Sequence, residues 1–257
     1  MKRLLVIALG MLVTAAAVFI AASMYFNRQQ PAEAELTIAA ERGDAAAVRS
    51  LIAEGEDVNA RDNGYTPLVF AARAGDGETV NALLDAGADP NARDCRKGWT
   101  PLIHAIHKHR LDAARALVER GADVNARAGG CEEDSVESGM TPLMYAAMYD
   151  NPDLVKLLLE RGADPHAEND GANALTHAVG GAALGKLKDI DRAASRPCPT
   201  ETVRLLLAKA PDLRIRRSVF DRATSSILKT KCPGVARLIN HPETAAQPAQ
   251  VLPGEPR

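Results

Sequence analysis

A tripeptide that returns at near-constant spacing constrains this chain more than any other feature. Thr-Pro-Leu stands at 66–68, 100–102 and 141–143, and a degenerate Asn-Ala-Leu follows at 173–175, in steps of 34, 41 and 32 residues. Between these copies runs a second ladder: GEDVNARD from Gly55, GADPNARD from Gly87, GADVNARA from Gly121 and GADPHAEN from Gly162. Just before each of these lies an apolar run, VRSLIAE, VNALLDA, ARALVER and VKLLLER, and a further copy, VRLLLAK, follows later. Thr is a helix N-cap and Pro suits the first helical position. The residues that follow (Leu68, Ala71, Ala72; Leu143, Ala146, Ala147) make a thin apolar face that a second helix can approach closely. The next run sets Leu154, Val155, Leu157 and Leu158 at helical spacing, Gly closes that helix in the left-handed conformation, and Asp-x-Asn makes a polar turn. One unit is a turn, a short helix, a turn and a second helix. It cannot cover its apolar face alone and must stack on a copy of itself.

These residues resemble the ankyrin repeat, whose signature is T-P-L-H-x-A at a period of about 33 residues. The resemblance covers residues 35–240 and implies an all-α solenoid of six helix-turn-helix repeats, the first beginning at Leu36. The fifth unit runs from Asn173 to Leu213, and a degenerate sixth from Arg214 to Asn240. Three features depart from the pattern. The position after T-P-L holds Val69, Ile103, Met144 and Thr176 in place of His, so packing is expected to replace the hydrogen bonds His gives between units. An acidic insertion, 128–139, precedes the fourth unit, and a long one, about 180–196, splits the fifth. Insertions in repeat arrays map to surface loops.

The flanks differ from the array. Lys2 and Arg3 precede an uncharged stretch from Leu4 to Phe26, longer than a signal-peptide core and long enough to cross a bilayer. Residues 1–26 are thus expected to be a signal anchor or a cleaved signal, 27–34 a polar tether, and 241–257, with four prolines, a disordered tail. Basic flanks stay in the cytoplasm, which puts the array on the periplasmic side of an inner membrane, anchored there or secreted.

Apolar residues at 46% and charged residues at 25% mark a folded chain. With 31 cations against 33 carboxylates, clustered positive charge for DNA or RNA is missing, so no nucleic-acid partner is expected. No nucleophile elbow, phosphate loop, dinucleotide fingerprint or H-E-x-x-H is present, so the expectation is no enzyme, no cofactor and no metal. The densest alternative is His104 and His107, three apart on one helical face, which would give two-point metal binding. The run Glu132-Glu133-Asp134 with Glu137 lacks the ligand spacing of a calcium loop and reads as a solvated loop. Four cysteines outside the cytoplasm permit disulfides, and repeat register favours Cys95–Cys131 and Cys198–Cys232.

Aromatics are only 4% of the chain, so their placement is informative. Alignment of the units puts Tyr65, Trp99 or Met140 before T-P-L, and Phe70, His104, Tyr145 or His177 at the second position after it. Arg73, then His107 and Lys108, then Met148 and Tyr149 follow one turn later. Turn tips and first helices line the partner-gripping face in proteins this sequence resembles, and Tyr, Trp, Met and Arg are enriched in interface cores. The expected partner-binding set is Tyr65, Phe70, Arg73, Trp99, His104, His107, Lys108, Tyr145, Met148, Tyr149 and His177. The expected function is capture of an envelope client protein by a monomeric, non-catalytic module. The alternatives are an immunity-type inhibitor of a secreted toxic enzyme and the metal-binding protein already described.

Overall fold

The computed structural model describes residues 33–129, 139–181, 198–215 and 232–246. Among them are α1 (Glu33–Arg42), α2 (Ala45–Ala53), α3 (Pro67–Ala74), α4 (Gly77–Asp85), α5 (Pro101–His107), α6 (Leu111–Glu119), α7 (Pro142–Met148), α8 (Pro152–Glu160), α9 (Ala174–Gly181), α10 (Thr200–Lys209) and α11 (Pro233–Asn240). A 3-10 helix, Pro242–Ala246, follows. The described residues contain no strand, only isolated bridges at Asp62–Tyr65 and Asn169–Ala172 where the chain folds back before an inner helix.

The helices form two layers. Each first helix packs on the first helix of the next unit (α1 on α3, α3 on α5, α5 on α7, α7 on α9), and the second helices stack likewise from α2 to α10. The Ala pairs Ala71-Ala72 and Ala146-Ala147 are fully buried between inner helices, as their small side chains allow. Leu83, Leu117 and Leu158 fill the space between layers without any exposure. Each unit therefore shares its core with the unit on either side. The fifth pair, α9 and α10, continues the stack. Of the sixth unit's helices, α11 is the one within the described residues.

The local signals act much as read, with one change. Thr100 and Thr141 accept from the N–H groups of Ile103 and Met144, each at 3.4 Å, but the Thr66 hydroxyl is buried without a hydrogen-bond partner among the described residues. Asp44, Asp76 and Asn151 cap α2, α4 and α8 at 2.7–3.1 Å. Gly75, at φ 99°, turns the chain between α3 and α4 with the Arg110 side chain against it, so a Cβ would stand 2.4 Å from Arg110 Cδ.

Hydrogen bonds do join the units, contrary to the expectation that packing alone replaces the missing His. They come from the Asn-Ala-Arg of the second ladder. Asn59 Oδ1 accepts from Asp89 N (3.0 Å), Asn91 Oδ1 from Asp123 N (2.8 Å), and Asn125 Oδ1 from Asp164 N (2.8 Å). Arg61 donates to the carbonyl of Arg93 (2.9 Å), Arg93 to that of Arg127 (2.5 Å), and Arg127 to that of Glu168 (2.9 Å). The outer surface adds exposed ion pairs between neighbouring units, Arg49–Glu78, Arg120–Asp85 and Arg161–Glu119.

Cys198 and Cys232 form a disulfide that ties the start of α10 to the start of α11. The other expected bridge is corrected: Cys95 is an exposed free thiol. Its sulfur lies 3.9 Å from Arg61 Nη1, on the side of the preceding unit, away from the fourth; Cys131 lies outside the described residues. The array also extends beyond residue 240, because Ala245 of the 3-10 helix is buried and that helix packs on α10. At the other end α1 begins at Glu33, within the expected tether. No helix of the described residues is long and apolar enough to cross a membrane, and residues 1–26 lie outside them.

Candidate protein-binding face

The turn before α5 is two residues longer than the turn before α3: Asp62 stands four residues from Thr66, whereas Asp94 stands six from Thr100. Asp94 organises the longer turn. Its Oδ1 accepts from the N–H groups of Arg96 (2.8 Å) and Lys97 (2.7 Å), and its Oδ2 from Trp99 N (3.2 Å). His104 Nε2 meets the same Oδ2 at 2.8 Å, and both side chains are buried. Burial pushes this carboxyl up, but the His104 hydrogen bond and the two backbone N–H donors outweigh it and hold the group down at about 2.

Around this centre the rings of units two to four meet in series. Tyr65 contacts Phe70 (5.8 Å between centroids) and His104 (5.7 Å); Trp99 contacts His104 (5.2 Å), His107 (5.0 Å) and Tyr145 (5.3 Å). His107 and His109 both contact Tyr149, and His107 Nδ1 lies 2.5 Å from the Tyr149 hydroxyl. Most of these pairs are edge-to-face, the arrangement ring quadrupoles favour. Arg73 stands over Tyr65 (5.7 Å) and Lys97 over Trp99 (4.3 Å).

The structure thus brings together nearly all the residues singled out in the sequence, but in two layers. Trp99, His104 and Tyr145 are only 2%, 6% and 1% exposed. They do not form the open ladder expected of them: His104 lies against Tyr65 and Trp99, and Trp99 against Tyr145 of the next unit. Tyr65, Phe70, His107, Met148 and Tyr149 lie above them, half-buried, and Lys108 is exposed at the end of α5. His177, on α9, stands outside the series; burial pushes its pKa down, and its Nε2 is buried without a hydrogen-bond partner among the described residues. The two-point metal reading also changes, since His104 Nε2 faces Asp94 and His107 Nδ1 faces Tyr149. Among the described residues no group of three or more His, Cys, Asp or Glu could hold a metal ion.

Sequence reasoning missed Asp94 and Lys97. The two-residue excess in that turn was the available signal.

A model of ankyrin repeats in three copies matches residues 36–128, and a single ankyrin repeat matches residues 138–170. The chain is an ankyrin repeat protein. No curated protein matches it. Ankyrin repeats are generally protein–protein interaction modules and typically non-catalytic.

Proposed function

We propose that this ankyrin repeat protein captures a client protein of the cell envelope through the concave face formed by its turns and inner helices in units two to four. One observation carries the reading: half-buried Tyr65, Phe70, Met148 and Tyr149 rest on a layer of buried rings, so their apolar area is presented on a rigid base. Aromatic and Met side chains held in place lose little freedom on binding, which is what makes them effective anchors. The envelope location is supported by the Cys198–Cys232 disulfide, since such bonds persist in oxidising compartments. The basic start and uncharged 4–26 stretch support it too.

The test is site-specific photocrosslinking in the native cell. A crosslinking amino acid at Phe70 or Met148 is expected to trap one and the same client, identified by mass spectrometry. The same group at Arg115, exposed on α6, is expected to trap none. Equal trapping at Arg115 would dismiss the inner face as the site.

A further inference from the structure

The last described elements rest on little packing. α11 buries Gly234 and Val235, with Leu238 and Ile239 covered only in part, whereas the equivalent outer helix α8 buries five apolar residues. The 3-10 helix adds Ala245. Both elements pack on α10 and on each other. Their side-chain hydrogen bonds, from Thr244 to the His241 carbonyl and between His241 and Glu243, stay within the segment. Among the described residues no hydrogen bond or ion pair ties 233–246 to another helix. Ordering each residue of this segment costs conformational entropy, and so few buried side chains offset little of it.

A covalent bond supplies the hold that packing does not. Cys232 is the N-cap of α11 and Cys198 stands just before α10, so the disulfide joins two helix starts, their Cα atoms 5.6 Å apart. Once it opens, 233–246 can leave α10, while α10 keeps its own contacts with α8 and α9.

The same placement favours exchange of the bond. Neither cysteine is enclosed; both are half-buried at the edge of the core. A helix start stabilises a thiolate through its dipole and its free N–H groups. Each cysteine is therefore a good leaving group, and the reduced pair is favoured.

We infer that Cys198–Cys232 is a thiol–disulfide exchange site for a dithiol oxidoreductase, and that its state decides whether α11 and the 3-10 helix stay docked on α10. A thiolate of the reductant attacks the Cys198 sulfur, and Cys232 leaves as a thiolate at the N-cap of α11. The reductant's second thiol then attacks the mixed disulfide and frees Cys198. Each thiol of the reductant gives up a proton as it attacks, and each cysteine takes one after it leaves. Two electrons pass, so the chain gains two thiols and the dithiol becomes a disulfide. The side of α10 on which the segment rested is then open at the end of the array.

The test uses the full chain in a mild detergent, with a thioredoxin-type dithiol protein as the reductant. Alkylation and mass spectrometry count thiols on the peptides that hold Cys198 and Cys232, and hydrogen exchange follows the backbone. Reduction is expected in the folded chain, at a rate that sub-denaturing urea does not raise. The amides of 233–246 should then exchange at least about tenfold faster, and those of 66–160 should not change. The variant C198S/C232S should reproduce the reduced pattern.

Reduction only at urea concentrations that unfold the array marks an inert structural bond and overturns the inference. Unchanged exchange at 233–246 after reduction overturns it too. So does faster exchange across 66–160, which makes the bond a support of the whole array. Neither measurement touches the inner face of units two to four, so client capture is tested apart from it.

Discussion

Asp94→Asn is the substitution whose outcome the structure states most fully. The carboxylate receives four donors: the N–H groups of Arg96, Lys97 and Trp99, and His104 Nε2. An amide of the same shape keeps one oxygen and offers its NH2 to the other two donors. His104 can relieve one clash by changing tautomer, but the Trp99 N–H then stays buried and unbonded. Leaving one such donor unmade, and losing the charge from the bonds that remain, costs about 2–3 kcal/mol.

The same bonds act on the acidity of the group. Depression of the carboxyl from 3.8 to about 2 corresponds to about 2 kcal/mol at neutral pH. Because the folded pKa lies below the unfolded one, this stabilisation is complete above pH 5. It is about half lost near pH 3 and absent below pH 2. Urea unfolding followed by the fluorescence of Trp99, the single tryptophan, measures both quantities at the site itself. The difference between wild type and variant should be flat from about pH 5 to 8 and should narrow steeply below pH 4. A loss under about 1 kcal/mol, or a difference that does not narrow in acid, would refute the account of Asp94 as an ionised, fully bonded centre.

Other expectations follow from the same structure. Reducing Cys198–Cys232, which closes a sequence separation of 34, should cost about 3–4 kcal/mol where units five and six meet, measured by urea unfolding with and without dithiothreitol. Arg93→Ala removes the bonds to Arg127 O and Gly98 O and should speed hydrogen exchange at the turn before α7, with a stability loss of about 1–2 kcal/mol. Gly75→Ala must adopt φ 99° against Arg110 and should lower stability by about 1–3 kcal/mol in thermal unfolding. Tyr145→Ala opens a cavity beside Trp99 and should cost about 3–5 kcal/mol, whereas Tyr149→Ala should cost about 1–2 kcal/mol and act chiefly on client capture; calorimetry separates the two.

The repeat was legible because every part of it is written in short-range terms. A Pro at the first helical position, a Gly after the last one and apolar residues three or four apart each act within a few residues of themselves, so the two-helix unit could be read from 66–92 alone. The Cys198–Cys232 bond was legible as well, since both cysteines hold the same register in consecutive units. Cys95 was not, because its sulfur turns toward Arg61 of the preceding unit and no local feature encodes that direction.

The residue types gathered on the inner face of units two to four were visible on aligning the units, and their depth was not. Trp99 and Tyr145 hold positions that would lie open on a single unit, and only the neighbouring inner helix decides that they are enclosed while Tyr149 stays half open. In the same way Asn59 and Arg61 look like ordinary polar turn residues until the next unit places its backbone within reach of their side chains. Local chemistry along the chain determined what each unit is, because helix ends and apolar spacing act over a few bonds. Which side chains stay exposed was decided only when the units stacked, because burial belongs to the surface that a neighbour happens to cover.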